Sequence, residues 1–579
     1  LLWKYQKSIF LKELTSGLYF LTSIPRFNPY ICSEFKPDMY TKKTLFPVYI
    51  ALALAIGLLL GYRIQDRIHN NPAGIGHSNN NPIDEVVNLI RANYVDPIEQ
   101  DKLYGAAISK MLEGLDPHSV FISGEEMQGV EEEMQGNFEG IGIEFYIQND
   151  TIQVVTPLSG GPSEQLGIQS GDKIIMINDT LVAGVKIANL DVMKKLKGPK
   201  GTKVKVTIQR INSTQLTDYT ITRNQIPLIS VDAGFMLDVH TGYIKINKFS
   251  ATTYIEFMDK ALPLLKQGMK QMVLDLRQNP GGYLGEATKL ADEFLDDKKE
   301  IVYTAGRNFP KQYYKAEKTG DFEEIPIVVL IDEGSASASE IIAGALQDWD
   351  RGLVIGRRSF GKGLVQEQYP LMNGSAIRLT VAKYYTPSGR CIQKSYEEGL
   401  EAYYEEMSDR FVHGEVFNKD SINNKTDNIY KTKLLKRTVY GGGGITPDIF
   451  IPLDTSYFNP LTEEVLSLNL LTQFTYSYFA ANKGQFSSYH SATEFDAGYQ
   501  VSNKLYNSFI DYAISNGVNE ASLTYAAVSR KELSHRMKAF FAKQIWKTEG
   551  LLRVLVREDE AVQRALKELS KNPLTSGSK

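Results

Sequence analysis

At 579 residues the chain is too long for one hydrophobic core, and its size predicts three or four domains. Its 42% hydrophobic and 23% charged residues are ordinary for a globular protein, and a net charge of −4 gives no electrostatic reason to expect a nucleic-acid partner. Only two cysteines occur, Cys32 and Cys391, and the seven histidines are scattered without an HExxH or other paired spacing. A disulfide framework, a metal site and a cofactor are therefore not expected.

Residues 1–38 read as an upstream extension without structure of its own, with Met39 at the natural start of the next segment. The run "LFPVYIALALAIGLLLGY" (45–62) is 18 residues without a charge, preceded by Lys42 and Lys43. That length just reaches the hydrocarbon thickness of a bilayer, and the two lysines favour a cytoplasmic N-terminal side. Residues 39–62 are thus expected to be a membrane anchor or signal segment. The lack of an A-x-A cleavage site favours an uncleaved anchor, and a buried core helix is the alternative. Residues 63–82, rich in Asn, Gly and Pro, read as a linker. Apolar positions at three- and four-residue spacing predict a helical region over 83–136. From 137 to 225 short strands alternate with turns such as "SGGPSE" and "QSGDK". Across 226–456 strands and helices alternate, the pattern of an α/β domain, with a charged, tyrosine-rich insertion at about 395–440. Residues 457–579 are helical in pattern and carry no recognisable chemistry.

Four stretches carry candidate chemistry. "GIGIEF" (140–145) can form a nest of backbone N–H groups for a terminal carboxylate, and the strand that follows can pair with an extended peptide. Gly140, Ile141, Gly142 and Ile143 are the candidate contacts. "DLRQNPGG" (275–282) reads as a buried strand and a tight turn, where a bare glycine amide, Gly281 or Gly282, could donate to a developing oxyanion. The plain alternative is an ordinary βα turn. "DEGSASASE" (332–340) follows an apolar strand, and Ser337 with Glu340 fits an S-x-x-E capping box. The third stretch thus supports either helix capping or a nucleophile. The fourth, "RSFGKGLVQEQYPL" (358–371), holds Lys362, and the strand in 374–390 could offer an edge to an extended substrate.

A serine nucleophile needs a base, and no histidine lies near either loop in sequence. The G-x-S-x-G elbow is absent as well. A lysine can serve if burial lowers its pKa from about 10.4, and reaching about 7.5 would cost roughly 4 kcal/mol. Such a lysine is best oriented by a neutral group, since a carboxylate would hold it charged. Gln366 lies four residues on, one helical turn if that segment is helical.

Taken in order, "LDPHSVFI", "FEGIGI", "DLRQNPGG", "EGSASASEI", "GKGLVQ" and "GGGGITPD" resemble the C-terminal processing peptidases, or tail-specific proteases, over about residues 84–453. The Ser163–Ile174 stretch likewise looks like a PDZ domain. The resemblance implies a multidomain α/β (α+β) protein. Its parts would be a crotonase- or Clp-protease-like α/β domain, an inserted PDZ β-barrel, an N-terminal helical region and a C-terminal helical extension. It implies a serine endopeptidase with Ser337 as nucleophile, Lys362 as base and Gln366 as its partner. The amide of Ala338 with Gly281 or Gly282 would form the oxyanion hole. Ser335 and Ser339 would be structural. Gly140–Ile143 would hold substrate tails, and Lys197 or Lys200 would sense their arrival. The expected partners are proteins or peptides with free C-termini, and the family leaves room for a homo-oligomer or an adaptor protein. The expected location is the bacterial inner membrane, single-pass with the catalytic domains in the periplasm, or the periplasm itself after signal cleavage. A tail-binding PDZ adaptor without cleavage and a small-substrate esterase or amidase are the competing readings.

Overall fold

The computed structural model describes residues 49–59, 82–158, 160–210, 213–422 and 428–571. The expectations for residues 1–38 and for the linker before Pro82 lie outside that range. Of the apolar run, residues 49–59 are helical and exposed. Among the described residues no helix is long and apolar enough to cross a membrane.

The chain divides into two units, 1–98 and 99–579. The first contains helix α1 (Pro82–Asn93), acidic in its first turn and basic in its last, as the helix dipole favours. The second opens with α2 (Gln100–Glu113), β1 (Val120–Ile122) and α3 (Gly124–Gln135). Ser123 and Glu126 close a full capping box on α3, and Gly136 ends it in the left-handed conformation.

A small β-module follows. Strands β2 (Asn137–Gly140), β3 (Ile143–Gln148), β4 (Thr151–Pro157) and β5 (Lys173–Ile177) lead to α4 (Asn189–Leu196). The module continues with β6 (Lys203–Gln209), β7 (Leu216–Thr222) and β8 (Asn224–Pro227). The order β3-β4-β5-β6-β7 is antiparallel throughout, and β2 pairs with β8 to close the base. Ile152, Val154, Ile174, Val206 and Ile221 fill its interior with Val192 and Leu196 of α4.

The α/β domain runs through β9 (Val231–Met236), β10 (Thr241–Ile246), α5 (Thr253–Lys266), β11 (Gln271–Asp275) and α6 (Leu284–Asp292). Next come β12 (Glu300–Ala305), β13 (Gln312–Lys315), β14 (Ile327–Ile331), α7 (Ala338–Asp348) and β15 (Gly352–Gly356). It ends with β16 (Leu364–Pro370), β17 (Ala376–Tyr385), α8 (Leu400–Val412) of the insertion, and β18 (Ile449–Phe450). The main sheet has the order β9-β10-β11-β14-β15-β18, parallel except for the β9–β10 pair. Helices α5, α6 and α7 cover one face through Phe257, Leu290 and Ile342. The C-terminal helix α10 (Glu560–Leu569), which follows α9 (Ala526–Leu555), covers the other through Val562, Ala565 and Leu569. Cover on both faces explains why "VVLI" in β14 is apolar without alternation.

A second sheet places β17 in the middle. It pairs with β16 from Ala376 to Lys383, and at its two ends with β1 and β12. Partners distant in sequence cover the two ends of the side away from β16, at 376–378 and 383–385, and residues 379–382 have no strand partner there. The C-terminal helical bundle has its own core around Phe474, Phe509 and Phe541. It touches the β-module through Lys543, 3.2 Å from Glu144, and Lys547, 3.3 Å from Glu164.

Candidate active site

Three loops leave the carboxyl ends of adjacent parallel strands β11, β14 and β15, where open α/β sheets place ligands. They carry the Asn-Pro-Gly-Gly turn, the serine run and Lys362. The serine run folds back on the first loop. Ser335 donates its hydroxyl to the Leu276 carbonyl at 2.8 Å and accepts from the Asp332 N–H at 2.9 Å. Ser339 donates to the Asn279 carbonyl at 3.0 Å, and the Ala336 N–H shares that acceptor at 2.9 Å. Both hydroxyls are consumed in the interior, where neither residue has any solvent exposure.

Ser337 differs. It is half-buried and sits at the N-cap of α7 with φ 54° and ψ −114°, a conformation costly for any residue with a Cβ. Glu340 accepts from its N–H at 2.8 Å, so the carboxylate half of the capping box forms. The same carboxylate reaches the lysine loop: Oε1 accepts from the Ser359 hydroxyl at 2.5 Å and the Gly361 N–H at 2.8 Å. Oε2 accepts from the Lys362 N–H at 2.9 Å. Burial pushes this carboxyl up to about 7, against the pull of those four donors. The Tyr384 hydroxyl lies against the carbonyls of both Ser337, at 3.1 Å, and Lys362. One carboxylate and one phenol therefore hold the two loops together.

The Lys362 amine donates to Gln366 Oε1 at 3.2 Å. Burial lowers its pKa most, and Arg378 lowers it further, while Glu340 and Asp116 pull the other way. Gln366 lies on a strand, so the condition for a helical turn between it and Lys362 is not met. A register shift between Val365 and Gln366 kinks β16 there, and such a bulge re-aims a side chain. Its Nε2 donates to the His118 carbonyl, which leaves Oε1 for the lysine. That carbonyl is held by an Asp116 turn: the carboxylate accepts from the N–H groups of His118 and Ser119 at 2.8 and 2.9 Å. It also accepts from the Thr380 hydroxyl of β17 at 2.9 Å.

His118 shows what sequence distance conceals. The fold brings it beside Lys362, whose charge together with burial lowers the imidazole to about 4, burial being the larger cause. Its Nε2 is paired with the Tyr403 hydroxyl at 2.7 Å. The signal that could have found this segment is "LDPHS", since Asp-Pro followed by Ser marks a turn with side-chain-to-backbone bonds.

The glycine turn abuts Ser337. A Cβ on Gly281, where φ is +95°, would fall 2.7 Å from Ser337 Cβ and 2.8 Å from the Ala338 nitrogen. The Gly281 N–H is already taken by Asn279 Oδ1 at 2.9 Å. Among the described residues, the Gly282 and Ala338 N–H groups donate to no group of the chain. Of the two glycines, Gly282 is the one with a donor to spare.

In the β-module, Gly140 ends β2 and Ile143 begins β3. The Ile141 carbonyl accepts from the Ser163 hydroxyl at 2.6 Å, and Gly142, with φ +71°, packs on Ile226. A cavity of about 310 Å³ opens between β3 and α4, lined by Ile141, Gly142, Ile143, Phe145, Met193 and Leu196 among others. At its rim Lys197 pairs with Glu132 of α3 at 2.6 Å. The Lys200 backbone N–H donates to Glu139 at 2.9 Å.

The chain is similar to known proteins in three regions. The model of Peptidase family S41 matches residues 240–402, that of the PDZ domain residues 130–209, and a family of unknown function residues 461–547. The chain is 39% identical over 316 residues to the carboxy-terminal-processing protease of Bartonella bacilliformis, covering 53% of this chain and 71% of that one. It is 35% identical over 354 residues to the carboxy-terminal processing protease CtpA of Bacillus subtilis, covering 61% and 75%. A solved photosystem II D1 C-terminal processing protease is 25% identical, covering 68% of this chain and 92% of that one, with a TM-score of 0.34.

Proposed function

This chain belongs to peptidase family S41, the serine-type carboxy-terminal processing proteases, and carries a PDZ domain; on that premise we propose that Ser337 and Lys362 are its catalytic dyad. The observation that carries the reading is the joint environment of the two residues. A strained serine at a helix N-terminus is tied through Glu340 to a loop whose lysine is half-buried and faces a neutral amide.

The lysine amine, neutral for part of the time because burial disfavours its charge, removes the Ser337 proton as the hydroxyl attacks a peptide carbonyl. Negative charge grows on the carbonyl oxygen at the N-terminus of α7. The Ala338 and Gly282 amides donate there, reinforced by the helix dipole. The protonated lysine then gives its proton to the leaving amine, and water clears the acyl-enzyme by the same steps in reverse order. Gln366 holds the amine without a negative charge that would keep it protonated. Substrate tails enter the groove between β3 and α4, with the Gly140–Ile143 loop facing the terminal carboxylate.

The natural substrates on this reading are envelope proteins with free C-termini. Anchoring at the bacterial inner membrane through 45–62, with the catalytic parts in the periplasm, rests on that run's length, its lack of charge and its flanking lysines. Fractionation with and without residues 39–62 tests the anchor.

The dyad is tested with a fluorogenic peptide ending in a free carboxylate. Ser337→Ala and Lys362→Met should each abolish cleavage and retain tail binding. Wild-type cleavage by either variant would overturn the dyad, and equal cleavage of an amidated tail would overturn tail recognition.

A further inference from the structure

The loop that presents Lys362 has no secondary structure of its own, yet five successive carbonyls, from Arg358 to Lys362, are engaged by other elements. Arg410 of the inserted helix α8 takes the first three. Its guanidinium donates to the carbonyls of Arg358 at 3.3 Å, Ser359 at 2.8 Å and Phe360 at 3.2 Å. The Lys394 N–H takes the Gly361 carbonyl at 2.9 Å, and Tyr384 lies on that of Lys362. Arg410 is itself buried and held by Glu406 Oε1 at 2.7 Å. The Lys394 amine sits 4.3 Å from the Phe360 ring centre and 4.1 Å from that of Tyr403, sealing the layer between α8 and the loop.

The same helix reaches the other half of the base's surroundings. Tyr403 bonds the His118 ring at 2.7 Å, and Tyr404 donates to the Pro117 carbonyl at 3.1 Å. The segment they grip supplies the carbonyl that orients Gln366. The charged, tyrosine-rich insertion thus braces both the lysine and its amide partner.

We propose that Arg410 is a positioning residue for the reaction. Through three carbonyls its planar guanidinium sets the conformation of the 358–362 loop, while Tyr403 of the same helix fixes the His118 segment behind Gln366. This rests on Lys362 being the base. A lysine could not replace the arginine, because one ammonium cannot span three carbonyls as the rigid fork does.

The test compares Arg410→Gln, Arg410→Lys, Tyr403→Phe and Lys362→Met in the full chain. Readouts are kcat and KM on the free-carboxylate peptide from neutral to alkaline pH, with thermal unfolding and tail binding as checks on folding. Arg410→Gln should lower kcat by about tenfold to a hundredfold near neutrality, the loss expected from misplacing a catalytic group by about an ångström. KM should hold within about twofold. A loosened loop admits water to Lys362, so its pKa returns toward the usual lysine range and the acid limb of the profile moves to higher pH. The deficit should therefore shrink as pH approaches about 10. The groups facing Lys362 are Glu340 of α7, Arg378 of β17, and Asp116 and His118; none is altered. Loss of the Arg410 charge alone would move the limb in the same direction, which is why Arg410→Lys matters. Partial recovery supports the brace, and complete recovery overturns it in favour of charge.

A folded Arg410→Gln with unchanged kcat, or with one deficit at every pH, also overturns the proposal. Should that variant fail to fold, Tyr403→Phe decides, since it loses one hydroxyl and keeps the ring. A smaller loss with the same pH shift supports the brace, and an unchanged profile overturns it. Cleavage by Lys362→Met would instead sink the base assignment. An inactive Lys362→Met beside an unaffected Arg410→Gln would sink only the brace.

Discussion

Replacing Glu340 with glutamine keeps its shape and removes only its charge and half its acceptors. The side chain has no solvent exposure, so its four donors cannot turn to water. The best orientation keeps the amide oxygen at the Oε2 position, serving the rigid N–H groups of Ser337 and Lys362. The new NH2 then meets the Ser359 hydroxyl, which can rotate, and the Gly361 N–H, which cannot. One buried backbone donor is orphaned at about 1–3 kcal/mol, and the charge-assisted bonds that remain are weakened to neutral ones. Relief from burying a carboxylate offsets part of this. A net loss of about 2 kcal/mol in the competent loop geometry corresponds to a fall in kcat of up to about 30-fold. The pH dependence supplies a second reading. The folded carboxyl is raised to about 7 from an ordinary 4.5, so its contribution to stability is complete below 4.5 and is lost as pH rises through 7. That difference is worth about 3 kcal/mol, at 1.36 per unit, and Glu340→Gln should abolish it. Amide hydrogen exchange at Gly361 and Lys362, followed from pH 5 to 8 beside kcat, measures both effects. Wild-type kcat together with unchanged protection and pH slope would refute the joint assigned to Glu340.

Lys362→Arg should be inactive at every accessible pH, because a guanidinium does not deprotonate in a protein; residual turnover on the free-carboxylate peptide would count against the dyad. In the wild type the acid limb of kcat/KM should lie below the ordinary lysine value of 10.5, the direction set by burial and by Arg378. Gly281→Ala should lower kcat by about a hundredfold, since its methyl would fall 2.7 Å from Ser337 Cβ. The left-handed backbone there adds about 1 kcal/mol or more of strain, read in denaturant titration. Lys197→Ala should weaken binding of a free-carboxylate tail by up to about tenfold, with an amidated tail unaffected, as read by fluorescence anisotropy. Loss of its partly exposed pair with Glu132 should itself change stability by under about 1 kcal/mol.

The parts legible in sequence are those written locally. Alternation in "KVKVTIQ" marks a half-buried antiparallel strand, while the unbroken apolar "IVVLI" marks a strand covered on both faces. The S-x-x-E spacing marks the start of α7, and the glycine pair marks a turn no larger residue could make beside Ser337. What sequence could not show are meetings between distant segments. Position 118 and position 366 are linked by one hydrogen bond, and nothing near either predicts the other. The edge expected at 374–390 is narrowed for the same reason, since Val120–Ile122 and Tyr303–Ala305 pair with its two ends from far away and leave 379–382 between them. The four-residue spacing from Lys362 to Gln366 would be one turn only in a helix, and the segment is instead a strand that starts with a bulge.

Two unfavourable conditions have to be held at once in this site: a serine at φ 54° and a lysine amine short of water. A carboxylate is the strongest anchor for backbone N–H groups, yet one bonded to the lysine amine would keep it protonated and end its use as a base. The structure separates the two tasks. Glu340 spends its four hydrogen bonds on the Ser359 hydroxyl and the amides of Ser337, Gly361 and Lys362, and the amine is left to a neutral side chain. Its charge still raises the lysine pKa to some degree, and Arg378 with burial outweighs it. The capping box of "SASE" is therefore more than a helix start. By taking donors from the next loop it ties Ser337 to the segment that carries Lys362, so the contacts that begin α7 are also those on which the proposed dyad depends.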